Sequence, residues 1–153
     1  MGTAGSLSLL QESDDPLLVI NGDILTQVDF RAMLQFHQEH NADMTVAVRS
    51  TQTTIPYGVV DVDGIEITGV QEKPVLTHLI NAGIYLLEPS TYSYIPNGEP
   101  YDMTDLIARL LENERPVAAF PIREYWLYIG QHEDYDRAQS DTRDGKVESN
   151  QGD

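Results

Sequence analysis

The chain has 153 residues, of which 41% are hydrophobic; it has no cysteine, and its formal net charge is −16 at pH 7. This length and apolar content predict one globular domain with its own core. The acidic balance argues against binding to nucleic acid or anionic membranes, and the lack of cysteine excludes disulfides, thiolate metal sites and a cysteine nucleophile. Without a long apolar run or a secretory signal, the expected location is the cytoplasm.

The first half of the chain predicts a strand, a helix and a second strand in succession. Residues 17–20 form a continuous apolar run, which is typical of a strand buried on both faces of a parallel sheet. Residues 28–41 predict a helix with Asp29 as its cap, and residues 43–50 are rich in β-branched side chains. Apolar-face positions of the helix recur at helical spacing: Phe30, Met33, Leu34 and His37. The order predicts a βαβ unit.

The middle of the chain predicts a hairpin followed by a long strand. Asp63 and Gly64 form a dipeptide typical of a tight turn between two β-like segments. Residues 79–88 then read as a buried strand, which Pro89 ends.

The last third predicts a second helix and more strand. The helix covers residues 101–115 and could be capped by Asp102 or Thr104. Its apolar stripe has four members: Leu106, Ile107, Leu110 and Leu111. Residues 117–130 predict strand, with an edge or bend at Pro121.

The C-terminal end predicts a boundary between folded and unfolded chain. Residues 132–139 read as a short helix, so we expect one domain over residues 1–139. Residues 140–153 are polar and nearly free of apolar side chains, which predicts a disordered tail.

Asp23 is the first candidate for chemistry, because it follows the buried strand 17–20 directly after Asn21 and Gly22. Ligands of open α/β sheets bind outside the carboxyl ends of the strands, and a carboxylate there could hold Mg²⁺. The plainer alternative is a turn that leads into a helix cap, and for Asp23 alone that alternative is the better one.

Further candidates lie in the β-rich middle. Glu72 could accept hydrogen bonds from hydroxyl groups and Lys73 could bind a phosphate, but only if the chain bends before Pro74. The alternative is an exposed pair of little energetic value. Asn81 lies inside an apolar strand, so its side chain either has structural hydrogen-bond partners or faces a ligand. Gly83 and Gly58 remove side chains either where a ligand approaches or where the strand bulges.

Six segments in order resemble one family: GTAGSL, VINGD, YGVV, EKP, NAGIY and EYWLYIG. They are similar to the sugar-1-phosphate nucleotidyltransferases, which include mannose-1-phosphate guanylyltransferases and glucose-1-phosphate thymidylyl- and uridylyltransferases. The resemblance runs from Gly2 to about Ala138 and is strongest to a branch often fused to upstream CBS modules. It implies a three-layer, Rossmann-like α/β fold with a mainly parallel mixed sheet, lacking its first strand and glycine-rich loop.

The resemblance also implies a reaction and a set of site residues. The family joins an NTP to a sugar-1-phosphate with Mg²⁺, giving an NDP-sugar and pyrophosphate, and a homo-oligomer is a further expectation. The implied catalytic residues are Asp23, which also holds the metal, and Lys73. The implied nucleotide-binding residues are Gly2, Thr3, Ala4 and Gly5, and the implied sugar-binding residues are Gly58, Glu72, Asn81 and Gly83.

Two departures from the family pattern predict that this chain alone is inactive. The family's N-terminal phosphate-binding loop is expected upstream of the first residues here, which predicts a truncated domain. Tyr128 stands where the family has a second metal-binding aspartate, and a phenol, with an ordinary pKa of about 10, is a poor Mg²⁺ ligand. The alternatives are a non-catalytic sugar-nucleotide-binding module and a glycosyltransferase of related fold.

Overall fold

A computed structural model of the chain describes residues 2–5, 7, 14–96, 98–129 and 141. The strands are β1 (Leu17–Ile20), β2 (Ile24–Thr26), β3 (Met44–Thr54), β4 (Val59–Asp63), β5 (Glu66–Gln71), β6 (Val75–Leu87), β7 (Val117–Pro121) and β8 (Trp126–Tyr128). The helices are α1 (Phe30–Glu39), a 3₁₀ helix (Pro89–Tyr94) and α2 (Met103–Glu112). None of these helices is long and apolar enough to cross a bilayer.

Most of the residues in the predicted C-terminal elements are not among the described residues. Residues 132–139, predicted as a short helix, are not among the described residues, and of the predicted tail only Asp141 is described. Asp141 is buried, and its Oδ2 accepts a hydrogen bond of 3.0 Å from the Tyr125 hydroxyl.

The main sheet is mixed and has the strand order β1-β6-β3-β7. β6 is antiparallel to both β1 and β3, and β7 is parallel to β3. The predicted α/β class and mixed sheet are confirmed, but the expectation of mainly parallel pairing is wrong for the described strands. The physical reason is that β6 returns along β3 and then inserts between β1 and β3, so those two strands run parallel without touching.

The core lies on both faces of this sheet. Alternate residues of a strand point to opposite faces, so Tyr85 and Leu87 of β6 join one hydrophobic cluster while Ile84 and Leu86 join the other. Helix α2 packs on the first cluster, and α1 packs on the second through Met33. The result is the predicted three-layer arrangement, with a helix on each side.

β1 is less buried than its sequence predicts. Leu17 and Val19 pack against the core, but Leu18 is 37% exposed and Ile20 is 40% exposed. Among the described strands β1 pairs only with β6, so it is an edge strand with one uncovered face. The prediction of burial on both faces is therefore wrong for β1.

The predicted hairpin turn is confirmed at Asp63 and Gly64, where β4 meets β5 and Gly64 takes a φ of 61°. One face of the hairpin is apolar and exposed, because Val60 lies opposite Val70 and Val62 lies opposite Ile67. This hairpin forms its own two-stranded sheet.

The two helices begin as predicted. Asp29 caps α1 by accepting hydrogen bonds from the backbone N–H of Arg31 and Ala32, at 2.9 and 3.0 Å. Asp102 is the N-cap residue of α2, and its own N–H donates to Oδ2 of Asp105 at 3.0 Å.

The predicted apolar stripes are narrower than expected. Leu106 and Leu110 are fully buried because they lie four residues apart on one helix face, whereas Leu111 is 58% exposed. In α1, Met33 and His37 are buried while Leu34 lies at the edge of exposure. The buried His37 ring contacts Thr45 Oγ1 at 2.7 Å and Glu88 Oε1 at 3.1 Å.

The neighbouring leucines of α2 give a direct test of this orientation. Leu110→Ala should lower the free energy of unfolding by about 2–5 kcal/mol, because it leaves a cavity in the core. The matched control, Leu111→Ala, should change it by less than about 0.5 kcal/mol, because the side chain is mostly in water. Urea unfolding followed by circular dichroism measures both, and equal losses would contradict the helix orientation.

Candidate functional site

A polar pocket with a volume of about 380 Å³ opens where β1, the middle of β6 and the start of α2 meet. Its lining residues come from four segments of the chain: Thr3, Asn21, Asn81, Gly83, Tyr85, Asp102, Met103 and Thr104. None of these described residues carries a positive charge, and most offer an amide or a hydroxyl group. Such a lining suits the uncharged polar part of a ligand, such as sugar hydroxyls or the edge of a base.

Gly83 allows Asn21 to reach the pocket. The backbone N–H of Asn21 donates to the Gly83 carbonyl oxygen at 2.9 Å. A Cβ at position 83 would lie 2.9 Å from Nδ2 of Asn21, and Gly83 has a φ of 72°, which favours glycine. Glycine is therefore required here both by backbone conformation and by the close approach of the Asn21 amide.

Asn81 is held by partners on two sides. Its Oδ1 accepts the backbone N–H of Gly83 at 2.9 Å, and its side chain hydrogen-bonds the Tyr85 phenol. Burial raises the pKa of Tyr85, and the bond with Asn81 opposes this shift by lowering the pKa. Three β6 residues between Asn81 and Tyr85 face a single β3 residue, Ala47, so the strand bulges here. The bulge that the sequence left open is thus present, and it lies in the pocket wall.

Trp126 joins this bulge to strand β8. Its indole N–H donates to the Ala82 carbonyl oxygen at 2.7 Å. Its own carbonyl oxygen accepts a hydrogen bond of 2.9 Å from Nη1 of Arg49, whose guanidinium also lies over the indole ring. Trp126 begins β8 and packs on the second hydrophobic cluster, so these contacts place β8 against the bulge from the face of β6 opposite Tyr85.

Asp23 lies two residues beyond Asn21 and presents an unsatisfied oxygen. Its Oδ1 is buried and has no hydrogen-bond partner. The Asp23 carbonyl oxygen accepts the N–H of Ile129 at 2.7 Å, and Tyr128 pairs with Ile24 in the β2–β8 ladder. The segment carrying Tyr128 therefore runs directly beside Asp23. Within the described residues, no group of three His, Asp or Glu side chains could hold a metal.

The remaining predicted residues lie at the base of the β4–β5 hairpin. Lys73 has a φ of 44° and its N–H donates to the Tyr57 carbonyl oxygen at 3.2 Å, which supplies the bend before Pro74. A Cβ at Gly58 would lie 3.2 Å from Oε2 of Glu72. The Glu72 and Lys73 side chains are both exposed.

The structure thus distributes the predicted residues over three places. Thr3, Asn81 and Gly83 line the pocket, whereas Asp23 lies beside β8 and is not among the lining residues. Gly58, Glu72 and Lys73 form the hairpin group; between them and Asn81 runs the outer part of β6, about 20 Å of extended strand. Their convergence on one bound ligand stays a prediction.

Sequence reasoning missed five pocket residues: Asn21, Tyr85, Asp102, Met103 and Thr104. Asn21 had a usable signal, since it lies two positions before the candidate Asp23 at a strand end. Asp102 and Thr104 were recognised only as candidate helix caps, because nothing local indicates which distant segment lies against the start of α2.

Comparison with known proteins gives a consistent picture. The family model for nucleotidyl transferases matches residues 2–145. A UTP–glucose-1-phosphate uridylyltransferase from Synechocystis is 35% identical over 147 residues, covering 88% of this chain and 38% of the relative. A mannose-1-phosphate guanylyltransferase catalytic subunit beta from Drosophila pseudoobscura is 32% identical, with coverages of 88% and 38%. The chain therefore spans about two fifths of the length of these curated relatives.

Solved structures support the fold. A Bacillus anthracis protein described as a glucose-1-phosphate thymidylyltransferase superposes with a TM-score of 0.70 at 24% identity, covering 98% of this chain and 63% of that one. HddC from Yersinia pseudotuberculosis superposes with a TM-score of 0.63 at 23% identity. The predicted fold class is confirmed by these superpositions.

Two glycines with left-handed backbone test the role of Gly83. Gly83→Ala and Gly64→Ala should each lose about 1–2 kcal/mol of unfolding free energy to backbone strain. Gly64 has no atom near its Cβ position, so it is the matched control. Gly83→Ala should lose more and shift the NMR signals of the Asn21 side-chain amide, because the new methyl group displaces that amide. Equal losses and an unmoved amide would show that Asn21 does not depend on Gly83.

Proposed function

The chain belongs to the nucleotidyl transferase family, and from this premise we propose that it serves nucleotidyl transfer from an NTP to a sugar-1-phosphate. The products of that reaction are an NDP-sugar and pyrophosphate. The names of the relatives, a glucose-1-phosphate uridylyltransferase and a mannose-1-phosphate guanylyltransferase, support this substrate class. Two observations carry the proposal: the polar pocket lined by Asn21 and Asn81, and the unsatisfied carboxylate oxygen of Asp23, two residues after Asn21 in the chain.

In this reaction an oxygen of the sugar phosphate attacks the α-phosphorus of the NTP, and the bond from that phosphorus to the pyrophosphate oxygen breaks. The nucleophile is already ionised, so the protein's task is to align the two phosphates and to offset their charge. Residues 2–5, the nucleotide loop, would receive the nucleotide. The amides of Asn21 and Asn81 suit uncharged hydroxyl or base groups.

The hairpin group would serve the sugar phosphate. Lys73 would place a positive charge near its phosphate, and Glu72 would accept hydrogen bonds from sugar hydroxyls. Support comes from the bend at Lys73, which frees adjacent residues from the alternation of a strand. Gly58 supports the same role, since a side chain there would crowd the Glu72 carboxylate.

The chemistry of this family calls for a divalent cation, and Asp23 fits that need in part. Its buried Oδ1 lacks a hydrogen-bond partner, and a desolvated carboxylate oxygen of this kind is costly unless a cation or donor satisfies it. Mg²⁺ held by Asp23 would supply charge neutralisation at the phosphates. The neighbouring segment contributes Tyr128 rather than a second carboxylate, so we expect weak metal binding.

A second candidate function is a sugar-nucleotide-binding module without turnover, and the tyrosine at position 128 favours it. Calorimetric titration of the 153-residue chain with UTP, GTP, dTTP and the corresponding NDP-sugars tests binding, and a pyrophosphate-release assay tests turnover. Because Tyr128 stands in place of a second carboxylate, we expect this chain alone to bind with little or no pyrophosphate release, which would favour the binding module. Clear pyrophosphate release would instead favour nucleotidyl transfer. Failure to bind any of these nucleotides and NDP-sugars would overturn both functions.

Metal affinity tests the assignment of Asp23 and Tyr128. Mn²⁺ titration followed by electron paramagnetic resonance should show at least about tenfold weaker binding for Asp23→Asn, equivalent to about 1.4 kcal/mol. Tyr128→Asp should bind at least about tenfold more tightly, because it supplies a second carboxylate.

Two control variants carry the same changes in charge away from the site. Asp29→Asn removes a carboxylate at the start of α1, and Ile65→Asp adds one at the fully exposed hairpin tip. Neither should alter Mn²⁺ affinity by more than about twofold, which is the effect expected of distant charges in salt. An Ile65→Asp effect as large as that of Tyr128→Asp would remove position 128 from the metal site.

A further inference from the structure

We propose that Asp102 is a positioning residue, which acts through Thr3 to hold the nucleotide loop in its ligand-receiving conformation. The Thr3 hydroxyl is then a cap for helix α2 and not a contact to the base. This inference rests on the proposed function, because it assigns a role to the loop that would receive the nucleotide. It goes beyond that function by identifying what fixes the loop.

The contacts between Thr3 and the start of α2 are reciprocal. Oδ1 of Asp102 accepts the Thr3 backbone N–H at 2.9 Å and the Thr3 hydroxyl at 3.3 Å. The Thr3 Oγ1 in turn accepts the backbone N–H of Met103 at 3.0 Å. Met103 is the first residue of α2, and its N–H has no partner within the helix. Thr3 thus caps a helix that lies about a hundred positions further along the chain.

These contacts use up the donor capacity of the Thr3 side chain. A hydroxyl has one proton to donate and two lone pairs with which to accept. Its proton goes to Asp102, and one lone pair receives the Met103 N–H. The Thr3 hydroxyl therefore has no proton left for an acceptor on a base.

The rest of the nucleotide loop sits on the same short segment. The N–H groups of Ala4 and Gly5 both donate to the Tyr101 carbonyl oxygen, at 2.9 and 3.0 Å, and Ala4 is fully buried. A Cβ at Gly2 would collide with the backbone of Tyr101, and Gly2 has a φ of 70°. Every residue of the loop therefore lies against residues 101–103.

This junction forms one wall of the pocket. Thr3, Asp102, Met103 and Thr104 line it together with Asn81 and Gly83 of β6. Asp102 is exposed, so its carboxylate does not need the hydrogen bonds from Thr3 to offset burial. The backbone N–H of Asp102 donates to Asp105 and takes no part in the contact with Thr3. Loss of the hydrogen bonds between Asp102 and Thr3 should therefore shift the nucleotide loop more than it shifts Asn81 and Gly83 on β6.

The test uses Thr3→Val, Thr3→Ser, Asp102→Ala and Asp102→Asn in the 153-residue chain. Thr3→Val keeps the side-chain shape but removes both hydroxyl bonds, whereas Thr3→Ser keeps the hydroxyl. Asp102→Asn keeps an oxygen that can accept from Thr3, whereas Asp102→Ala does not. Asp29→Ala is the matched control, because it removes an N-cap aspartate from α1 without touching the loop.

The first readout is amide hydrogen exchange at Ala4 and Gly5 in the absence of any ligand. We expect at least tenfold faster exchange in Thr3→Val and Asp102→Ala, near-normal exchange in Thr3→Ser and Asp102→Asn, and no change in Asp29→Ala. Unchanged exchange in all variants would overturn the proposed role of Asp102, whatever the chain binds.

The second readout is a split between two affinities. Thr3→Val and Asp102→Ala should weaken UTP or GTP binding at least tenfold and leave glucose-1-phosphate or mannose-1-phosphate binding within twofold. Equal weakening of nucleotide and sugar-1-phosphate binding would indicate that the variants have lost folding, and it would overturn the positioning role. If the unsubstituted chain binds sugar-1-phosphate but no nucleotide, the nucleotide role of the loop is overturned while the sugar side of the proposed function survives.

Discussion

The placement of β6 between β1 and β3 is the constraint on which the candidate site depends. Through its pairing with β1, β6 brings the bulge at Asn81–Gly83 next to Asn21, just beyond the end of β1. Its other edge pairs with β3 over ten residue positions, which fixes the strand that carries the bulge. Groups that come from distant segments stay within hydrogen-bonding distance of each other more precisely when they lie on a rigid strand that is paired on both edges.

Much of the fold could be predicted from local patterns. The positions of α1 and α2, the Asp29 cap and the Asp63–Gly64 turn depend on neighbouring residues, and the structure confirms them. Strand order and direction depend on contacts between residues far apart in sequence. The apolar run at Leu17–Ile20 therefore predicted a strand correctly but not its edge position or its antiparallel partner.

The candidate site shows the same division. Asp23 and Gly83 are candidates from the sequence because a strand end and an interrupted strand leave local signals. The resemblance to a family implies nucleotide binding by Thr3. Its hydrogen bonds to Asp102 and Met103 carry no local signal, since they join residues about a hundred positions apart. Asp102 reads as an ordinary helix cap in sequence, although its carboxylate also holds a distant loop.

The contact between Asn21 and Gly83 has an evolutionary consequence. A side chain at position 83 would meet the Asn21 amide and a backbone conformation that few residues tolerate. Replacement of this glycine during divergence would require a smaller residue at position 21 and a change of backbone in the bulge. The two positions should therefore covary among related sequences, and a lineage that changes one is expected to change the other and with it the shape of the pocket.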